Sequence, residues 1–459
     1  MPISTYRAYV NQHRDAFLEL FKREVRQAGI STLGTGMAEM HDLAIAILRD
    51  AGFTCRSVPT AGFPVIYAER QASEPAIAPT VLLYGHYDVQ PADPIEAWIS
   101  PPFEPTVRDG RLYGRGAGDN KGQHLAHILG VQTAWAVDGG VNVNVKMILE
   151  GEEEISSPNL ASFAADNRDL LKADFAITSD GPMAIGNQPV VSLGVRGILS
   201  FELSVQGAKW DNHSGNKGNV VPNPAWRLIE VMHQLRDGQG RLALPGFYDR
   251  VRPLTATEER LLRELPFDAK IVAATVGLDE TQLAHFDGPT YYRRVLMEPT
   301  FTINGLSSGY SGKGHKTIIP ACAIAKCDIR LVPDQDPPEI EAALRAHLQR
   351  IAPDVHFEPH GWMRPSRTRA EHPAVALVAD ALSRAHGKKA LVQPGFGGSL
   401  PDYVFTQVLE MASFIVPYAN EDEANHSPNE NMMLDAFYNG IVATAEMLKA
   451  IGAAGPSAT

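Results

Sequence analysis

His86 and Asp88 stand two residues apart just after the apolar run Val81-Leu82-Leu83-Tyr84. Asp119 follows on the glycine-punctuated turn Gly114-Arg115-Gly116-Ala117-Gly118. An imidazole at the carboxyl end of a strand, a carboxylate beside it and a second carboxylate on a Gly-rich loop suggest a ligand, its orienting partner and a second ligand. Any one of them alone is better read as a polar loop residue. Further acids and imidazoles recur in similar settings: Glu150-Gly151-Glu152-Glu153-Glu154 after one apolar strand, Ser179-Asp180 after another, and His426 within Ala424-Asn425-His426-Ser427-Pro428-Asn429-Glu430. The glutamate run by itself is ordinary for a solvated helix N-terminus, but that explains none of the coincidence with the other segments. Two imidazoles and several carboxylates suit zinc, and a donor count above four leaves enough for two ions. A two-ion site needs one bridging carboxylate and a further glutamate, off the metal, to take a proton from water. Adjacent glutamates can divide those tasks.

The elements that must position these groups alternate. Helical patterns cover residues 6–26, 37–51, 123–136 and 159–171; strand patterns cover 64–68, 81–84 (ended by Gly85), 142–149 and 174–178. Helices alternating with apolar strands, with chemistry at strand ends, predict an α/β sheet whose site lies at its carboxyl edge. After Gly194 the pattern changes to strand 199–205, helix 224–236, strands 300–304 and 321–332, helix 337–351 and strand 355–358. That is a small α+β domain inserted into the larger one. Helix 373–385, the loop Gly395-Phe396-Gly397-Gly398-Ser399, strand 413–416 and helix 432–450 then resume the α/β pattern. The expected division is 1–194 and 363–459 for the catalytic domain and 195–362 for a lid or dimerisation domain. Residues 243–298 carry no pattern that reveals their role.

The totals exclude several functions. A net charge of −12 over 459 residues without a Lys/Arg block argues against nucleic-acid binding. No apolar run approaches eighteen residues and no basic-then-apolar leader pattern opens the chain, so a cytoplasmic protein without membrane contact is expected. Cys55, Cys322 and Cys327 form no CxxC pair, and the last two would face opposite sides of one strand, which suits a reducing compartment. The loop 307–317 has phosphate-loop glycines, but His315 interrupts Gly-Lys-Thr, and nucleotide binding is rejected.

In order along the chain, GHYDVQP, GRGAGDNKG, EGEEEISSPN, SDGP and NHSPNE resemble the five metal-site motifs of the M20 family of metallopeptidases. The likeness is strongest to its carnosine dipeptidase (cytosolic nonspecific dipeptidase) branch and spans nearly the whole chain. The resemblance implies two divalent ions, zinc foremost with manganese or cobalt as alternatives. His86, Asp119 and Asp180 would hold one; Asp119, as bridge, Glu154 and His426 the other. Asp88 would orient His86, and Glu153 would be the general base acting on a metal-bridging water, with the triple glutamate leaving room for an off-by-one assignment. A cis peptide is expected after Asp119. His213 would reach a partner subunit's site in a homodimer and hold the oxyanion, and Arg330 would bind the substrate carboxylate, with Thr317, His360 and Ser399 as further substrate contacts. One departure is Gly395, where this branch usually carries an arginine. It weakens strict dipeptide specificity and raises an alternative, an N-acyl-amino-acid deacylase. A non-catalytic carboxylate-binding protein on the same fold is the remote third reading.

Overall fold

A computed structural model describes residues 3–455. Thr80–His86, buried along nearly its whole length, lies inside an eight-stranded sheet. It pairs in parallel with Asn144–Glu150 on one side and Phe175–Thr178 on the other. Ala412–Ile415 continues the sheet in parallel beyond Phe175–Thr178. Parallel strands covered on both faces need no polar side, which is why Val81–Tyr84 and Phe175–Ile177 read as apolar runs, whereas Asn144–Glu150 keeps Asn144 and Lys146 half-buried and reads as alternating. Val81 and Leu83 pack into the larger core with helices Gly122–Asp138, Pro373–His386 and Leu434–Ala454. Leu82 and Tyr84 face the opposite layer, with Phe163 of Leu160–Asp166 and Phe405. Because the four strands run the same way, the residues after their carboxyl ends meet on one edge.

The inserted domain is a four-stranded antiparallel sheet in the order Thr300–Ser308, Cys322–Leu331, Gly197–Gln206, Val355–Met363. Burial along Gly197–Gln206 alternates residue by residue, the mark of a sheet with one covered face. Helices Pro224–Gln234 and Pro337–Ile351 supply Leu228, Val231, Leu344 and Leu348 to the core beneath it. Of the three free cysteines, Cys322 is exposed and Cys327 buried on the same strand.

Several details differ from expectation. The helix expected over 6–26 is two, Ile3–Gln12 and Arg14–Arg26, meeting at His13. The one expected over 159–171 is likewise split, into Leu160–Asp166 and Arg168–Leu171. Gly85 does not end its strand. The ladder continues to His86, which is paired with Glu150, so the imidazole is fixed by sheet hydrogen bonding rather than held on a loop.

Residues 243–298 fold into short helices, the longest being Ala256–Glu264, opened by a Thr255/Glu258 capping box. Leu262, Leu265, Leu296 and Met297 pack together against Leu391 of the large sheet's edge strand Leu391–Gln393. Glu258 also pairs with Arg367 at 2.9 Å. Although it lies within the inserted segment, this stretch packs on the domain that holds the eight-stranded sheet.

Candidate metal centre and active site

The carboxyl edge of the large sheet gathers the acids and imidazoles. His86 Nε2 lies 3.1 Å from Asp119 Oδ1 and 3.5 Å from Asp180 Oδ2. On the other side of the same carboxylate, His426 Nε2 lies 3.2 Å from Asp119 Oδ2 and 3.3 Å from Glu154 Oε2. The donor atoms of His86, Asp119 and Asp180, and separately of Asp119, Glu154 and His426, lie within 4.8 Å of one another. One Asp119 oxygen thus faces each group, which is the arrangement a bridging ligand requires.

Each donor is held by its own local structure. Asp119 sits on the Gly114–Gly118 loop, and the loop is organised by Glu430. Glu430 Oε1 accepts the Gly118 and Asp119 N–H groups at 3.0 Å each, while its Oε2 accepts from Gly116 N at 3.0 Å and from Arg115 Nη1 at 2.6 Å. Both partners of that ion pair are buried. The Asp119–Asn120 peptide is cis, and Asn120 donates to the Ser179 carbonyl at 2.7 Å, tying the loop to the Asp180 segment. His426 is in the left-handed region at φ 55° and half exposed.

The triple glutamate separates by direction. Glu152 turns away from the centre, accepting from Phe63 N at 3.3 Å and from Asn159 Nδ2 at 2.8 Å. Glu154 faces His426. Glu153 is partly buried, within electrostatic reach of His86, Asp180, Glu154 and Asp119. Asp88 links this turn to the imidazole. Its Oδ1 accepts the Glu153 N–H at 3.2 Å and its Oδ2 the Glu154 N–H at 3.0 Å, with His86 Nδ1 3.4 Å from Oδ1. His86 Nδ1 is nearer still to the Asp88 carbonyl, at 3.1 Å. Asp88 therefore sets the two glutamates at least as directly as it sets His86.

The electrostatics call for cations. Burial pushes Glu153 well above the usual carboxylate range; His86 opposes the rise, and Asp180, Glu154 and Asp119 add to it. Burial and Asp119 push Glu154 up to about 7. His426 is pushed up to about 11 by its hydrogen bonds to Asp119 and Glu154. Behind Asp119, burial raises Glu423 well above its ordinary value, and neither of its oxygens has a hydrogen-bond partner. Several buried acids around two imidazoles repel one another until positive charge is supplied, and nitrogen and carboxylate donors at this spacing fit divalent ions.

The substrate-binding candidates lie apart from the ligands. Arg330, on the inserted sheet, donates from Nη1 to Ser399 Oγ at 2.8 Å, so these two are brought together. His213 and Thr317 are also neighbours, joined by the Ser214 N–H to Thr317 carbonyl bond at 3.0 Å. Both are exposed, and His213 Nδ1 only accepts from Gly215 N. His360 is exposed at the register shift between Pro359 and Gly361 in the last inserted strand. Glu430, Glu423 and Arg196 carry no role from the sequence reading. Of these, Glu430 had a signal, since it lies in the same motif as His426.

Residues 82–450 match the model of peptidase family M20/M25/M40. The chain belongs to this family. It is a metallopeptidase and hydrolase of mixed α/β fold, on the side of the family that includes the carnosine dipeptidases. Among curated relatives it is 29% identical to the Cys-Gly metallodipeptidase dug1 of Schizosaccharomyces pombe, covering 94% of each chain. It is 31% identical to human Beta-Ala-His dipeptidase, over 80% of this chain and 74% of that protein. Among solved structures, the M20 family metallo-carboxypeptidase Sso-CP2 from Sulfolobus solfataricus superposes with a TM-score of 0.88 at 34% identity, covering 95% and 99% of the two chains. No described helix is long and apolar enough to cross a membrane.

Replacing Glu430 tests how far this M20 centre depends on its supporting loop. Glu430→Ala leaves Arg115 buried without its partner and frees three N–H groups. Breaking a buried pair in this way costs about 3–5 kcal/mol. Urea unfolding is expected to show that loss, and metal titration a weaker affinity, although Glu430 is not itself a proposed ligand.

Proposed function

We propose that this chain hydrolyses the amide bond of a dipeptide or small peptide-like substrate whose leaving residue carries a free carboxylate. The observation that carries the reading is the placing of the two Asp119 oxygens against two separate His–carboxylate groups, with Glu153 next to Glu154 on the turn held by Asp88. The dipeptidase names of the relatives support the substrate class. Two divalent cations, zinc foremost, held by His86, Asp119 and Asp180 and by Asp119, Glu154 and His426, supply polarisation of the carbonyl and acidification of water.

The chain's own groups do the rest. Arg330, presented with Ser399, clamps the carboxylate through its planar fork. Glu153, whose proton affinity is raised by burial, takes the proton of the attacking water and returns it to the leaving amine. Asp88 holds the backbone of Glu153 and Glu154, which leaves Glu154 facing His426, where it would hold an ion, and Glu153 to act on water. His213 of a second copy donates to the oxyanion. A homodimer is in keeping with the surface of the inserted domain: edge strand Thr300–Ser308 exposes Ile303 and Leu306, and helix Pro224–Gln234 exposes Trp226 and Ile229. Apolar surface of that kind beside an unpaired strand edge suits a partner.

Deacylation of N-acyl amino acids uses the same groups, and the glycine at 395 keeps that reading open. A panel of dipeptides and N-acyl amino acids, read by release of free amino groups, separates the two. Chelator-treated protein is expected to be inactive and to recover with zinc, cobalt or manganese. Equal turnover by the metal-free protein would sink the mechanism.

A further inference from the structure

We infer that a cavity walled in part by sequence neighbours of Asp180, Ser399 and His426 receives the side chain of the carboxylate-bearing substrate residue and selects a bulky apolar one. This rests on the reading above that the carboxylate is held at Arg330. The cavity has a volume of about 460 Å³. Three segments that carry site residues wall it. Pro182 follows Asp180 by two positions, Gly398 directly precedes Ser399, and Asp422 stands four positions before His426. In a dipeptide only one residue separates the scissile amide, at the metal centre, from the carboxylate, at Arg330. Its side chain is the group that such a hollow is placed to take.

Much of the remaining wall comes from the stretch whose role was opaque in the sequence. Tyr291, Tyr292, Val295 and Leu296 line the cavity together with Val190, Leu391 and Gln393 of the sheet, and Phe396 lies within 3.3 Å of where a Cβ on Gly181 would stand. No lysine or arginine lines it, and its two acids are already engaged. Asp422 makes two bonds of 2.8 Å to Arg111, and Glu421 accepts the Gly186 N–H. Neither an acidic nor a basic side chain finds a free counter-charge there, whereas an apolar one finds aromatic and aliphatic wall.

The same geometry accounts for Gly395. A Cβ there would stand 3.2 Å from the Leu296 carbonyl oxygen and 3.4 Å from Met297 Sδ, and one on Gly397 would stand 3.1 Å from the Val295 carbonyl oxygen. The segment Arg293–Met297 lies where a side chain at 395 would have to go. Arg196 braces the contact, donating to the Gly397 and Glu298 carbonyls at 2.9 and 3.1 Å. A cationic position on the loop has given way to an apolar wall beside it.

The test compares kcat/KM for Gly-Gly, Gly-Leu, Gly-Phe, Gly-Asp and Gly-Lys on the metal-loaded enzyme, with Leu-Gly and Phe-Gly as reversed controls. One methylene in an apolar pocket is worth about 10–200-fold, so Gly-Leu and Gly-Phe are expected to exceed Gly-Gly by at least about tenfold. Gly-Asp, Gly-Lys and the reversed pairs should gain no such advantage. N-acetyl-leucine and N-acetylglycine run alongside. If only these are cleaved, the dipeptide reading fails while the cavity is still tested by their ratio. If nothing is cleaved, calorimetric affinity for L-phenylalanine against glycine decides. Val295→Trp should lower the Gly-Phe to Gly-Gly ratio about tenfold, and Tyr291→Ala should move preference from leucine towards phenylalanine, with circular dichroism confirming that each folds. Equal rates for Gly-Leu and Gly-Gly, or ratios unmoved by both folded variants, would overturn the inference.

Discussion

Glu153→Gln is expected to fold, take up metal and turn over substrate about 10²–10⁴-fold more slowly, the range that general acid–base catalysis contributes. Glutamine preserves the shape and the backbone hydrogen bond to Asp88 but cannot accept and return a proton. KM should change little, because the carboxylate clamp at Arg330 is untouched and the loss falls on the transition state. The neighbours make the test specific. Glu154→Gln should instead lower metal affinity, since Glu154 faces His426 and shares the second group of donors. Glu152→Gln should do neither strongly, because Glu152 is spent on Phe63 and Asn159. Steady-state kinetics with metal content measured on the same preparations separates the three. A Glu153→Gln enzyme within a few-fold of the parent, or one that has lost its metal, would move the base to another residue.

How much of this was legible in the sequence follows from what each signal encodes. Strands buried on both faces leave apolar runs, so those ending at His86 and just before Asp180 could be read directly, and the one ending at Glu150 showed as an alternation. The three-residue strands Val190–Ser192 and Leu391–Gln393 are too short to show a period, and Thr54–Val58 lies at the sheet's edge with no buried residue. Residue type and position picked out candidate acids and imidazoles, and the family resemblance supplied their proposed division between two ions. They could not give direction: that Glu152 turns away and that Asp88 accepts two backbone N–H groups follow from the turn after Glu150, which no pattern describes. Glu430 stands in the same motif as His426, but residue type alone assigns it no role. Only the fold shows it buried beneath the Asp119 loop. Residues 243–298 were opaque because their short helices owe their places to packing on Leu391 and the Gly-rich loop, contacts far away in sequence.

The remaining large effect concerns His213, which this single chain leaves exposed and in contact with none of the proposed ligands. If it serves the partner's site, His213→Ala should slow turnover by about 10²–10³-fold, as loss of one oxyanion donor does. A single variant cannot show where the histidine acts, but a mixture can. Each site would draw its base from one subunit and its oxyanion donor from the other. A His213→Ala subunit paired with a Glu153→Gln subunit then carries one intact site and one doubly damaged site. After subunit exchange, random pairing places the two variants together in about half of the dimers, and half of the sites in those are whole, so about a quarter of parent activity should return. Neither variant alone should approach this. The exchange is checked by mass measurement of tagged heterodimers. Heterodimers that form but regain nothing would mean that each chain completes its own site, with His213 brought inward by movement of the inserted domain.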